Sequence, residues 1–459
     1  MSQTIDPTTP LPRPAITAAQ PWTFPTARQR VLDNGLQVWA FHLPGQHVVT
    51  AALVLDLPLT VEVPELEGIA TMALRASDEG TREHPGQSII DALESAGAAS
   101  EGGASASATI CSVEMPSTRL AQALPLFAEI VQSPTLADAD VERHVALRLS
   151  EIEQTLARPS SVAALAVRQV LFDPSCREAR PQGGVARTVR AVTGELVRSF
   201  HERHWGPQGS TLVVAGDLDQ GVDALVEQCF GGWKAPGGRA LHVVPTPAGA
   251  PTSTDQGRIV HLVDRPESVQ TEIRVSGIGL DRTSLDFAPL QVAASAMGGS
   301  FGSRLNTELR ERKGYTYGVH FAVSPARLGG TWAVSTSVRT EVAAQAVLDC
   351  LRIMELTEDF SPEEVADAVN QQLGVAPLRY DTASAIASQA ATLAAAGWDP
   401  DFVNLHFTRI GQVGPASASA AYRAVVRPEN SHVVLVGDAA ALREPLAEAG
   451  FVVQELEVS

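Results

Sequence analysis

No uninterrupted apolar run in the 459-residue sequence approaches the roughly 18 to 20 residues that a helix needs to cross a bilayer, so a membrane-spanning helical protein is excluded. Positive charge is also in short supply. The chain carries 34 Lys and Arg against 52 Asp and Glu, a formal net charge of −18. Nucleic acid and anionic membranes are therefore poor partners, because both need a clustered cationic surface. Only four cysteines occur, Cys111, Cys176, Cys229 and Cys350, with no C-x-x-C pair, and each sits in or beside an apolar stretch. That pattern excludes a disulfide framework and a cysteine metal site. Residues 1–24 have neither a basic segment nor a continuous apolar one, so they do not form a signal peptide. Rich in Pro, Thr and Ala, they are expected to be a disordered arm, and the cytoplasm is the expected address. A G-x-S-x-G elbow, a recognisable Cys/His pair and a paired-carboxylate signature are all missing, which removes support for a self-sufficient hydrolase of another class.

The composition that remains, 44% hydrophobic and 19% charged, suits a globular chain long enough for two or more domains. An internal echo shows how they are arranged. Pro207-x-x-Ser210-x-Leu212-Val213-Val214-x-Gly216-Asp217 recurs as Pro428-x-x-Ser431-x-Val433-Val434-Leu435-x-Gly437-Asp438, an offset of about 221 residues. A similar offset relates Gly35 and the strand-like runs after it (36–41, 48–57) to Gly257 and its own (259–263, 271–275). Leu136–Val141 and Phe360–Val365 each open a helical pattern with acidic residues in the first turn, where the helix dipole favours them. Helical spacing also marks 117–132, 139–156 and 342–357. Residues 236–256, dense in Pro, Gly, Ser and Thr, read as a linker between halves at 25–235 and 257–455. Strands, then helices, then a final strand in each half predict an α+β fold. Each half is a mainly antiparallel sheet with helices packed on one face.

Local motifs in order along nearly the whole chain resemble the pitrilysin/insulinase zinc peptidases. They are Leu32–Val38, Glu67-Gly68-Ile69-Ala70 followed by a helix and Glu79-Gly80-Thr81, Leu93–Gly97 with the small residues to Ser107, Pro134-Thr135-Leu136 with Val141-Glu142-Arg143, and His204-Trp205-Gly206-Pro207. The resemblance implies a clamshell of two similar halves. It also implies a zinc motif H-x-x-E-H, in which two imidazoles at i and i+4 share a helix face, completed by a later Glu ligand. Here the motif helix reads Thr71-Met72-Ala73-Leu74-Arg75. Thr71 and Arg75 stand at the histidine positions and Leu74 at the general-base position. Glu151 falls where the third ligand would be, but a single carboxylate does not hold zinc in water, so it reads as a relic or a helix-surface charge. No metal or cofactor is expected in this chain.

The second half keeps what the first lacks. Met297–Arg310 followed by Lys313-Gly314-Tyr315-Thr316-Tyr317-Gly318-Val319 resembles the family's second signature, an Arg and a Tyr at i and i+7 that face the zinc site across the chamber. Arg310 and Tyr317 have that spacing. A guanidinium can hold substrate carbonyls and a phenol can donate to an oxyanion. Tyr315, two residues earlier on the same strand face, remains an alternative. Gly298, Gly299 and Gly302 lack the Lys-Ser/Thr context of a phosphate loop and are expected to relieve crowding before a helix near Ser303. His201 and His204 are expected at an exposed helix end, not on a metal. A lost zinc motif beside a kept Arg/Tyr pair resembles the non-metal-binding subunit of the bacterial two-chain members. What this implies is a heterodimeric metalloendopeptidase acting on enclosed peptides, inactive as this chain alone, with zinc in a homologous H-x-x-E-H subunit. The alternative is a catalytically inactive scaffold or peptide-binding member of the same fold.

Overall fold

A computed structural model describes residues 22–234, 258–326 and 329–458. Two six-stranded sheets organise the chain, and the halves are built alike, as the internal echo predicts. The first contains β1 (Arg28–Val31), β2 (Gln37–His42), β3 (Val48–Leu55), β4 (Ala99–Ala104), β5 (Thr109–Pro116) and β6 (Thr211–Gly216), in the order β1-β2-β6-β3-β5-β4. The second contains β7 (Ile259–Asp264), β8 (Gln270–Ile278), β9 (Val319–Pro325), β10 (Gly330–Arg339), β11 (His432–Gly437) and β12 (Val452–Glu455), in the order β12-β7-β11-β8-β10-β9. β2 with β6, and likewise β7 with β11, run parallel, and the next three pairings in each sheet are antiparallel. The echoed Pro-x-x-Ser segments therefore lead into matching strands, β6 and β11, near the centre of each sheet.

Both of these strands are buried along their whole length. Their sequences, Thr-Leu-Val-Val-Ala-Gly and His-Val-Val-Leu-Val-Gly, have the continuous apolar character of strands covered on two faces. One face carries helices of the same half. The opposite face is covered by a helix from the other half. Helix Pro159–Leu171 packs on β8 and β11, joining Val162, Ala163 and Ala166 to Val263, Val434 and Val436. Helix Ala383–Ala395 packs on β3 and β6, joining Ile386, Ala387 and Ala390 to Trp39, Val54 and Val213. Alanines line both contacts, which lets the helices lie close on the sheets. To the expected helices on one face, the structure thus adds a reciprocal exchange that closes the other.

One sequence expectation changes here. The disordered arm was expected over 1–24, but Trp22 and Phe24 are packed: Trp22 stacks on Tyr380 with centroids 5.5 Å apart, and Phe24 is 2% exposed. Asn404 bonds both backbone groups of Phe24, at 2.7 and 3.0 Å, so aromatic burial and paired main-chain groups tie the start of the first half to the second. Residues 1–21 of that arm and the expected linker 236–256 lie outside the described residues.

Because each sheet depends on a helix of the other half, the halves are expected to unfold together. Ala387→Leu overpacks a fully buried contact and should cost about 1–3 kcal/mol. Urea denaturation followed by both far-UV circular dichroism and tryptophan fluorescence should give one transition, shifted in the variant; two separate transitions would show that the halves stand alone.

Candidate functional site

The helix Ile69–Ala76 carries Thr71, Leu74 and Arg75, the positions set against a zinc motif in the sequence. It begins at Gly68, whose φ of +102° is costly for any side chain, and a Cβ there would come within 2.7 Å of the Gly183 carbonyl. Opposite, a Cβ on Gly184 would stand 2.0 Å from the Glu67 carbonyl. Two backbones therefore touch, and a buried ionic network holds them. Glu62 Oε1 accepts from Gly68 N and Ala70 N at 3.1 and 3.0 Å, capping the helix start. Its other oxygen accepts from Arg177 Nε and Nη2 at 3.1 and 2.8 Å. Arg177 also donates to the carbonyls of Arg180, Pro181 and Gln182, while Arg180 pairs with Glu67 at 2.7 Å. The loop 177–185 is thereby fixed beneath the motif helix.

A cavity of about 450 Å³ opens between them. Thr71, Leu74 and Arg75 line it, together with Arg148 from the helix Asp138–Ala157 and residues Gly102–Ala104 of β4. Arg75 Nη1 lies 2.8 Å from Glu151 Oε1, and Arg148 Nη1 lies 3.1 Å from Glu151 Oε2. Glu151 is thus not the isolated surface charge that the sequence suggested: two guanidiniums share it. The Arg75 hydrogen bond, foremost, holds its carboxyl below the ordinary range, with Arg148 adding to the effect. Zinc does not fit this donor set. A cationic side chain occupies one ligand position and bonds the carboxylate at another, and among the described residues no three His, Cys, Asp or Glu side chains are placed to hold a metal.

The second constellation lies in the other half. A helical segment beginning at Arg304 takes on a π-type turn over Asn306–Arg312 and ends where Gly314, at φ +60°, receives the chain. Gly314 N and Tyr315 N donate back to the carbonyls of Arg310 and Leu309 at 3.1 and 2.9 Å, the left-handed glycine termination common to helix ends. Arg304 anchors this segment through Glu364 at 2.6 and 2.8 Å. Asn306, buried, fastens the pieces to one another: it donates to Ser300 O and Val319 O and accepts from Val319 N, at 2.8 to 3.0 Å. One turn later on the same face stands Arg310, its guanidinium 3.7 Å from the centroid of the exposed Phe301 ring. Gly298 allows this fold-back, since a Cβ there would meet Phe321 at 2.8 Å; Gly302 has open space and needs no such explanation.

Tyr315 and Tyr317 do not share a strand face as the sequence suggested. Both precede β9, in a loop where Thr336 Oγ1 lies 2.9 Å from Thr316 Oγ1 and from Gly318 O. Tyr315 packs on the core under Lys313, whereas Tyr317 is 98% exposed. The loop distinguishes them where strand periodicity could not. His201 also differs from expectation. It is desolvated, bonds Val131 O at 2.9 Å, and burial holds its pKa at about 4, so it is a structural group of the helix Gly194–His204 and not an exposed end. Sequence reading missed Arg148 and Arg168 as members of the first cavity. Arg148 could have been found, since i, i+3 spacing puts it on the face of Glu151.

Comparison with known proteins matches two family models to this chain. One described as Insulinase (Peptidase family M16) covers residues 37–174, and one described as Peptidase M16 inactive domain covers residues 191–372. A relative from Streptomyces coelicolor, named an uncharacterized zinc protease, is 24% identical over 426 residues that span 91% of this chain and 92% of that one. Subunit 1 of the human mitochondrial cytochrome b-c1 complex is 26% identical over 292 residues, 63% of this chain and 59% of that one. A peptidase M16 inactive domain from Pseudomonas fluorescens, solved by crystallography, superposes with a TM-score of 0.82 at 20% identity over 90% of this chain and 98% of that one.

Two outcomes follow from the first cavity. Arg177→Met leaves the buried Glu62 carboxylate without a counter-charge and should cost about 3–5 kcal/mol, read by denaturant unfolding. Arg75→Gln should let the Glu151 pKa rise toward its ordinary value, as carboxylate NMR titration would show. A depressed carboxyl contributes stability above its unfolded pKa and loses it as the pH falls through the folded one. The stability difference between wild type and Arg75→Gln should therefore shrink on the acid side of the ordinary Glu range.

Proposed function

The chain belongs to the insulinase family of M16 peptidases, and from that premise we propose that it is the non-metal-binding subunit of a heterodimeric zinc endopeptidase. In this reading Arg310 and Tyr317 act toward the zinc site of a homologous H-x-x-E-H subunit, and the peptide is enclosed between the two chains. The observation that carries it is the state of Tyr317. Its loop is fastened on both sides by Thr336 and Asn306, yet the side chain touches almost nothing in its own chain. Folding gains little from an exposed phenol on a fixed loop; a phenol that must meet a developing oxyanion in another subunit needs that combination. Arg310 lies over an exposed ring, Phe301, and its Nη2 pairs with the exposed Glu311 at 3.3 Å, so its remaining donors are the ones available to substrate carbonyls. The first half supports the same division of labour, since Arg75 on Glu151 leaves this chain unable to supply the metal.

A second reading is favoured by one finding: the relative named as a subunit of the cytochrome b-c1 complex indicates that chains of this kind also serve in assemblies under a name that is not a peptidase's. On that reading the chain is a catalytically inactive scaffold or peptide-binding member.

Co-purification with an H-x-x-E-H homologue, followed by zinc analysis and peptide cleavage for each chain alone and together, separates the readings. Zinc and cleavage that require the partner support the split site. Stoichiometric zinc or cleavage by this chain alone overturns it, and a stable inactive complex favours the scaffold. Within an active complex, Tyr317→Phe should lower turnover on the order of 10- to 1000-fold without changing the unfolding midpoint; unchanged turnover would remove Tyr317 from the chemistry.

A further inference from the structure

The cavity beside the degenerate motif helix has its sign inverted relative to a metal site. Three guanidiniums line it, those of Arg75, Arg148 and Arg168. Among the described residues the one carboxylate paired with any of them is Glu151, which Arg75 and Arg148 share. The cluster therefore holds two positive charges in excess, on a chain whose formal net charge is −18.

Arg168 is the telling member. It reaches the cavity from the helix Pro159–Leu171, and its guanidinium has no hydrogen-bond or ion-pair partner among the described residues. Its Nε is closed off from solvent and unsatisfied. Burial, then the nearby Arg177 cation, pushes its pKa down, and the Glu178 carboxylate offsets this only in part. A half-buried guanidinium whose Nε is sealed off without a hydrogen-bond partner works against folding, and planar N–H forks are best satisfied by carboxylates.

The remaining walls suit a peptide. Gly102–Ala104 border the cavity from β4, the edge strand of the first sheet, whose outer main-chain groups face no neighbouring strand. Leu74, Ile152, Leu156 and Leu165 supply an apolar wall for a side chain. We propose that this cavity anchors the carboxylate of a peptide laid along β4, with Arg168 and the free donors of Arg75 as its partners and the leucine-rich wall taking the adjoining side chain. The carboxylate can come from a peptide C-terminus or from an acidic side chain. The site is independent of Arg310 and Tyr317 and is complete within this chain, so it can fail while the split-site reading stands, and the reverse.

The test uses the full chain without a partner and fluorescence anisotropy of labelled peptides in three forms: one ending in a free leucine carboxylate, the same peptide amidated, and an amidated peptide with an internal Glu. At least one of the acidic forms should bind about 10-fold or more tightly than the neutral one, with the difference weakening as salt is added. Preference for the free acid alone identifies the C-terminus, and preference for the Glu peptide identifies the side chain. Arg168→Gln should erase the preference while leaving the unfolding temperature unchanged or raised, because it removes an unpaired cation. Equal binding of neutral and acidic peptides, no binding of any, an undiminished preference in Arg168→Gln, or a fall in its unfolding temperature would each overturn the proposal.

Discussion

A strand that is apolar on both faces must be covered twice, and in this chain that constraint falls on β6 and β11. Each half has enough helices for one face of its sheet, and the other face is closed by a helix from the opposite half. The exchange gives the two sheets a fixed mutual position without a continuous third layer. It also places what each half carries. Helix Pro159–Leu171 leaves the first half to lie on β11, and on the way it presents Arg168 to the cavity of the half it has left. Had that helix stayed on its own sheet, the cavity would have lost one wall.

Within the first half, the buried pairing of Glu62 with Arg177 performs the next step. A carboxylate removed from water is tolerable when every lone pair is used, and Glu62 uses its oxygens on a helix start and on a guanidinium. Arg177 in turn satisfies three loop carbonyls. This network positions the helix that carries Thr71, Leu74 and Arg75, where a cation, Arg75, neutralises Glu151 directly. A helix fixed this firmly beside a cavity is what the proposed binding role for the cavity requires.

Much of this was legible in the sequence. The echoed Pro-x-x-Ser and Gly-Asp segments did mark matching strands, and the acidic helix starts near 138 and 362 were read from first-turn charges. The unbroken apolar runs of β6 and β11 held a further signal, burial on both faces, that alternation-based reading does not convert into a covering helix. That Thr71, Leu74 and Arg75 offer no set of zinc ligands follows from residue types alone. By contrast, the choice between Tyr315 and Tyr317 depended on whether the segment is a strand. Gly314 at positive φ and the Thr316–Thr336 contact make it a loop, and a contact across twenty residues is invisible to local spacing. Arg168 was hidden for a related reason: its neighbours across the cavity come from other elements, and no periodicity along its own helix reports an empty counter-charge position.

Two kinds of unused chemistry therefore remain after folding, and they differ physically. Tyr317 is exposed, so its freedom from contacts costs the fold nothing, and the case for function rests on the rigidity of the loop beneath it. Arg168 is half-buried with its Nε closed off from solvent and without a hydrogen-bond partner, so its placement opposes folding, and the case rests on that opposition. An exposed group can be explained by neutral drift more easily than a buried cost can. The first cavity accordingly offers the stronger physical argument for the proposed binding, while the second constellation offers the stronger argument for the proposed chemistry with another chain. Taken together, the two proposals put recognition on the first half, along β4, and transition-state stabilisation on the second.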